Sequence, residues 1–294
     1  MNSLALDHEN ISPTAKLVAY WRKFSDIPYS QDIASLFNTE DVFKDKFVGL
    51  NDDDRENNAL AAFLELRYKS ILLEIKKSAI NQVLEFASGI SLRGLSMSED
   101  KTITYVETDL PLITKEKIKV VKSMMEKHRI AGRENLFFYE ANILNPGEIE
   151  NATAHFRSDQ PIAIINEGLF QYLTKEEKRK AAQNVLSLLK KYGGIWITPD
   201  LETKEQIHHH PFNKDRYQDF FDMVERSTGR NFRDNAFKDE EELMSFFEDL
   251  GFSIEWSPQL GQGISLSSLK KRPVSDQVRD ALSKLRLYKL RAKS

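Results

Sequence analysis

The sequence predicts an α/β fold, a doubly wound and mainly parallel sheet preceded by helices. Two observations carry this. From Val83 onward, short apolar runs alternate with longer stretches of helical period, which is the pattern of repeated βαβ units. The first of those runs, Val83-Leu84-Glu85-Phe86, passes into the small residues Ala87-Ser88-Gly89 and then into a helical pattern. Nucleotide-binding sheets of this class begin in that way.

The first 80 residues read as helices. In "SPTAKLVAYWRKF", Ser12 is placed to cap, Pro13 takes the first helical position, and Leu17, Val18, Trp21 and Phe24 recur at helical spacing. The polar stretch "LNDDDREN" separates this helix from "NNALAAFLELRYKSILLEIKKS" (57–78), whose Leu60, Phe63, Leu64, Ile71, Leu72 and Ile75 form an apolar stripe. Strands are expected at 83–87, 103–108, 136–141, 162–166 and 195–198. One intervening helix, "TKEKIKVVKSMMEKHRIAG", is expected to be capped by Thr114 and to stop near Gly132. Another, "TKEEKRKAAQNVLSLLKKYGG", carries a capping box in Thr174 and Glu177 and a stop at Gly193. Near the end, "FSIEWSP" and "ISLSSLKK" are joined by "QLGQG" and read as a hairpin, hence an antiparallel addition at one sheet edge. Lys270-Lys271-Arg272 and the basic tail "KLRLYKLRAKS" read as surface. The expected organisation is a helical cap over 1–80 and a sheet domain over 81–294 with an insertion near 200–250, forming one structural unit.

Composition narrows the function classes. The 294 residues are 40% hydrophobic and 30% charged, as in ordinary globular proteins. A formal charge of −3 gives no electrostatic case for nucleic acid or an anionic membrane. No apolar run approaches membrane-spanning length, and "MNSLALDHENISPTA" lacks the basic and apolar regions of a signal peptide. Zero cysteines exclude disulfides, thiol nucleophiles and thiolate metal sites, and a cytoplasmic location is expected. Metal is not expected either. Consecutive residues of "HHHP" (208–211) cannot all face one ion, and Asp52-Asp53-Asp54 lacks the spacing of a calcium loop.

In doubly wound sheets the ligand binds outside the carboxyl ends of the strands. The residues there are Gly89, then Glu107 and Asp109, then Asn142, then Asn166-Glu167-Gly168. Neither G-x-G-x-x-G nor the P-loop pattern occurs, so nothing cradles a diphosphate. An acceptor-rich rim suits a ribose diol, an adenine amino group and an ammonium instead. The ligand so described is adenosine-like and cationic, a description that S-adenosylmethionine meets.

"VLEFASGISLRGL", "YVETDLP", "INEGLFQYL" and "GGIWITPDL", in this order, resemble the leucine carboxyl methyltransferase-like family of class I methyltransferases. "ISPTAKLVAYWRKFSDIPYSQDIA" and "ELRYKSI" are similar to its bacterial members, and the likeness spans roughly residues 11–270. The resemblance implies a Rossmann-like seven-stranded sheet, last strand antiparallel, with a helical cap over S-adenosylmethionine. It also implies roles. Gly89 would let the backbone approach the methionine part, and Asp109 would hold the ribose, with Glu107 as its rival at the strand end. Asn142 stands where the family commonly has Asp beside the adenine amino group, and Ile143 would pack the adenine face. Glu167 would hold the ammonium, and Arg67 the carboxylate, assisted by Lys16 or Arg22.

The implied reaction is methyl transfer to an oxygen nucleophile, expected to be a carboxylate of a small molecule or a protein C-terminus. Such an acceptor needs no base because it is ionised at neutral pH. Tyr172, His208, His209 and Arg233 are the acceptor-side candidates, with Arg216 and Arg230 able to bind an acidic substrate. The alternative expectation is a protein of the same fold that binds S-adenosylmethionine with weak turnover or none.

Overall fold

Gln82–Phe86, buried throughout, forms β1 at the centre of the sheet. β2 (Thr104–Asp109) and β3 (Leu136–Glu140) extend it in parallel on one side, and β4 (Ile162–Asn166) and β5 (Gly194–Thr198) on the other. β6 (Phe252–Pro258) forms the far edge, and β7 (Arg286–Ala292) fits between β5 and β6, antiparallel to both. The order β3-β2-β1-β4-β5-β7-β6 reverses direction between β1 and β4. That is the topological switch point, where a ligand crevice opens. The structure, a computed structural model, describes residues 13–46, 58–208, 232–261 and 263–293.

Strand periodicity sorts the core onto two faces. Val83, Tyr105, Ala163 and Ile195 point to one face and pack with Ile71 and Val120. Leu84, Val106, Ile164 and Trp196 point to the other and pack with Val185 and Phe247. Each fully buried aliphatic or aromatic side chain contributes about 1.5–3 kcal/mol, so the central strands are the anchor of the fold.

The helices before β1 are α1 (Pro13–Arg22), α2 (Ser30–Leu36), α3 (Thr39–Lys46) and α4 (Asn58–Ser78). Tyr20 stacks on Phe43 at 4.1 Å, and Leu17, Trp21, Leu60 and Leu66 join them in a separate cluster that holds the cap together. α4 reaches from this cluster to β4 and β5, which fixes the cap relative to the sheet. After β1 come α5 (Arg93–Met97), α6 (Pro111–His128), α7 (Pro146–Ala152) and α8 (Lys175–Tyr192). α9 (Lys204–His208), α10 (Phe232–Asn235) and α11 (Glu240–Leu250) follow β5. The capping box of α8 forms as expected, and Gly193 ends that helix at φ 73°.

Three expectations are corrected. α6 starts at Pro111 after a Leu110 cap, and Thr114 lies inside it with its hydroxyl donating to the Asp109 carbonyl at 3.0 Å. Proline at the first helical position set that start. The same helix ends at His128 with Arg129 in the left-handed region, so Gly132 is not its stop. The hairpin is also different. "FSIEWSP" is β6, but "ISLSSLKK" supplies the short helix Ser268–Lys271, and β6 pairs with β7 from the basic tail. Leu287, Tyr288 and Leu290 are buried there while Arg286, Lys289 and Arg291 disguise the strand as surface. The Asp52-Asp53-Asp54 loop and Ser12 lie outside the described residues.

Candidate active site

The loops after β1, β2, β4 and β5 converge with α1 and α4 around a cavity of about 490 Å³. Its shape begins with the turn after β1. Ala87 and Gly89 both take left-handed backbone, at φ 51° and 53°, in a turn tied to β2. Ser88 N–H donates to the Thr108 carbonyl at 3.0 Å, and Gly89 N–H to Asp109 Oδ2 at 2.7 Å. Gly89 is there for its φ, since a Cβ would meet nothing within 4 Å. Gly94 is there for close approach: a Cβ would lie 2.5 Å from Glu107 Oε1. Both glycines of the stretch therefore serve local geometry, and neither faces a phosphate cradle.

Asp109 lines the cavity, its carboxylate also accepting from Leu110 N–H at 2.8 Å. Burial raises its pKa, against the pull of the Gly89 and Leu110 amides. Glu107 sits elsewhere. It is 1% exposed, accepts from Gly94 N–H at 3.0 Å and pairs with Lys117 at 2.9 Å, and it does not line the cavity. Burial pushes Glu107 up to about 7 against the opposing Lys117. Lys117 also donates to the Gly89 carbonyl at 3.3 Å, so this pair shapes the turn from behind. Asn142 and Ile143 do not line the cavity either. The Asn142 side-chain oxygen accepts from Leu144 N–H at 2.9 Å, and Ile143 is part of the core packed by α8.

Glu167, directly after β4, lies on the cavity wall among three arginines. Arg22 Nη2 approaches Oε1 at 2.5 Å, Arg93 Nη2 approaches Oε2 at 2.6 Å, and Arg67 Nε stands 3.6 Å from Oε1. Burial alone would raise this carboxyl; the guanidiniums of Arg22, Arg93 and Arg67 outweigh it and hold the pKa at about 2. The charges are balanced locally, because Arg93 also pairs with Glu85 and Arg67 with Asp200. Tyr105 donates to the other Glu85 oxygen at 2.7 Å.

Asp200 sets the backbone on which Glu167 rides. Its carboxylate accepts from the amides of Gly168, Leu169 and Phe170 at 2.9, 2.8 and 3.2 Å. Asn166 Nδ2 adds a fourth bond at 2.7 Å, while Asn166 Oδ1 accepts from the Trp196 indole at 2.7 Å. Sequence reasoning gave no role to Glu85, Arg93 or Asp200. Glu85 had a legible signal as a carboxylate inside the apolar run of β1, while Arg93 and Asp200 in "SLRGL" and "TPDL" had none without their partners.

In three residues that line the cavity, one polar atom each (Trp21 Nε1, Arg22 Nε and Ser91 Oγ) is buried with no hydrogen-bond partner among the described residues. Tyr172, in the single turn Phe170–Tyr172, also lines the cavity, and burial raises its hydroxyl pKa. His208 and Arg233 are described in their backbone, within α9 and α10. His209, Arg216 and Arg230 lie outside the described residues. Among the described residues, no group of three His, Cys, Asp or Glu side chains could hold a metal ion.

Residues 38–186 match the family model of leucine carboxyl methyltransferases. The chain belongs to that family. It is accordingly an S-adenosylmethionine-dependent methyltransferase, with S-adenosylmethionine as methyl donor. A DUF574 family protein from Streptomyces avermitilis shares the fold at 15% identity, with a TM-score of 0.61 over 99% of this chain and 100% of that one. An O-methyltransferase family protein from Burkholderia thailandensis aligns at 12% identity and TM-score 0.48 over 89% and 72% of the two chains. Human N-acetylserotonin methyltransferase in complex with S-adenosylmethionine aligns at 9% identity and TM-score 0.45 over 86% and 60%. Among curated proteins, none matches this chain.

The cavity of this family member fits its donor. The guanidiniums of Arg22 and Arg67 on its wall suit a carboxylate, Asp109 offers oxygens for hydroxyls, and the volume is that of a small-ligand site. An acceptor molecule is implied by the reaction class, and no helix among the described residues is long and apolar enough to cross a membrane.

Proposed function

We propose that this methyltransferase acts on an oxygen nucleophile of a small molecule or of a protein C-terminus, in the cytoplasm. The observation that supports this most is the junction of two cavities. The donor cavity shares Phe63, Arg67 and Glu202 with a second, more polar cavity beside it. In this reading Glu167 holds the donor's ammonium, Arg22 and Arg67 its carboxylate, and Asp109 its ribose. S-adenosylmethionine supplies a methyl group on a cationic sulfur. The chain's own contribution is to align the nucleophile with that methyl and to keep water out, and effective molarity from such alignment reaches several powers of ten. The Asp200 clamp holds the Glu167 loop still, which favours alignment.

A carboxylate acceptor asks least of the site, since it arrives ionised. A hydroxyl acceptor is the second reading, favoured by the position of Glu202 at the junction. The test is incubation with methyl-labelled S-adenosylmethionine and panels of carboxylic acids and phenols, followed by mass spectrometry. Methyl esters or ethers are the expected products. Donor binding without any labelled product would point instead to a binding protein of the same fold.

A further inference from the structure

The second cavity, of about 540 Å³, lies between the loop after β5 and the helix Asp276–Ser283 leading into β7. Most of its charges are already paired. Arg286 meets Glu240 at 2.9 Å, Lys284 meets Asp280 at 2.6 Å, and Arg67 is held by Asp200. Gln206 Nε2 donates to the Tyr288 hydroxyl at 3.2 Å.

Among the described residues, the Glu202 carboxylate and the side-chain oxygen of Gln259 beside this cavity accept no hydrogen bond. Glu202 is acted on by burial and by the charges of Arg67, Asp200 and Lys178, with no hydrogen bond to its carboxylate among the described residues. Gln259, 2% exposed, donates through Nε2 to the Arg286 carbonyl at 2.9 Å, while its Oε1 has no partner. Glu205, also on the wall, adds negative charge. A cavity with unpaired acceptors calls for a ligand that brings donors. A carboxylate placed there would face Glu202 as a like charge.

We propose that the second cavity receives the methyl acceptor as a hydroxyl-bearing molecule, and that Glu202 takes the proton of the hydroxyl that is methylated. This rests on the methyltransferase reading and narrows its acceptor to an alcohol or phenol. In the step, the acceptor O–H bond breaks and its proton passes to a Glu202 oxygen. The acceptor oxygen forms a bond to the methyl carbon while the sulfur–methyl bond breaks, and that electron pair stays on sulfur as S-adenosylhomocysteine. Among the described residues, Glu202 is the one carboxylate shared by both cavity walls, so a proton acceptor stands where the two substrates meet. Burial, with Asp200 adding to it and Arg67 and Lys178 opposing, raises Glu202 to about 7. It is thus matched to proton transfer at neutral pH.

The test uses phenol and benzoate as probes of the full chain saturated with S-adenosylhomocysteine, read by ligand-observed NMR. At pH 8, phenol binds about tenfold more tightly than benzoate, the scale of one hydrogen bond to a charged group. Glu202→Gln removes that preference, as does lowering the pH of the unaltered protein to 5.5, and Glu202→Asp retains it. Thermal melting confirms that each variant is folded; should the Gln variant not melt cooperatively, the pH series and the Asp variant decide. Tighter binding of benzoate, a preference untouched by Glu202→Gln, or binding of neither probe at tens of millimolar overturns the proposal. Failure of S-adenosylhomocysteine itself to bind would instead overturn the methyltransferase reading on which it rests.

Discussion

At the scale of single residues, Glu167 couples the site to pH. Its folded pKa of about 2 lies below the ordinary 4.5, so it stabilises the fold above pH 4.5 and loses that contribution as pH falls toward 2. The amount is about 3 kcal/mol. Urea unfolding between pH 6 and pH 3 should show the unaltered protein losing stability and Glu167→Gln changing less over that window. Glu107 and Glu202 act in the opposite sense, because both are raised to about 7. Their favourable contribution is complete below their ordinary pKa and fades as pH rises through 7. Gly94 offers a second test, since a Cβ there would meet Glu107 Oε1 at 2.5 Å and a Leu136 methyl at 2.9 Å. Gly94→Ala is expected to cost about 1–3 kcal/mol by denaturant unfolding. At this scale the sequence marked strand ends well and side-chain partners poorly. Asp109, Glu167 and Gly89 were legible because they follow apolar runs, whereas Glu107 occupied an equally good position and turned inward to Lys117.

At the scale of elements, the loop between β4 and the Phe170–Tyr172 turn depends on Asp200, a residue more than thirty positions away. Asp200→Asn would weaken the acceptor of three backbone amides and take from Arg67 the nearer of its two buried counter-charges, leaving Glu167. The expected cost is about 3 kcal/mol by chemical denaturation, with donor affinity falling in parallel. A stability loss below about 0.5 kcal/mol would mean the clamp is unimportant. The β-strands before residue 200 were legible from continuous apolar runs, as strands covered on both faces must be. β7 was not, because "RLYKLRA" carries charge at Arg286, Lys289 and Arg291, and because its partner β6 is distant in sequence. The start of α6 was misplaced for a local reason: Thr114 has the chemistry of a cap, yet Pro111 had already fixed the backbone three residues earlier.

At the scale of the whole molecule, the division expected from sequence was a cap over 1–80 and a sheet domain over 81–294 as one structural unit, and α4 gives physical grounds to propose the same. Its residues contribute both to the cap cluster, through Leu60 and Leu66, and to the sheet core, through Ile71 and Ile75. The donor cavity lies between these two layers, with Arg22 and Arg67 reaching down from the cap to Glu167. The general reading, a doubly wound sheet carrying a methyl donor, was legible from strand alternation and the residues at strand ends. The second cavity was not, since Glu202, Gln259 and Tyr288 come together only once β7 is in place. The most direct test of the central claim is calorimetric titration of the protein and of Glu167→Ala with S-adenosylmethionine and S-adenosylhomocysteine. Saturable one-to-one binding of both to the unaltered protein, lost in a variant that still melts cooperatively, is the predicted result. Undiminished binding by Glu167→Ala would contradict the site assigned here, and no binding to the unaltered protein would contradict the donor cavity itself.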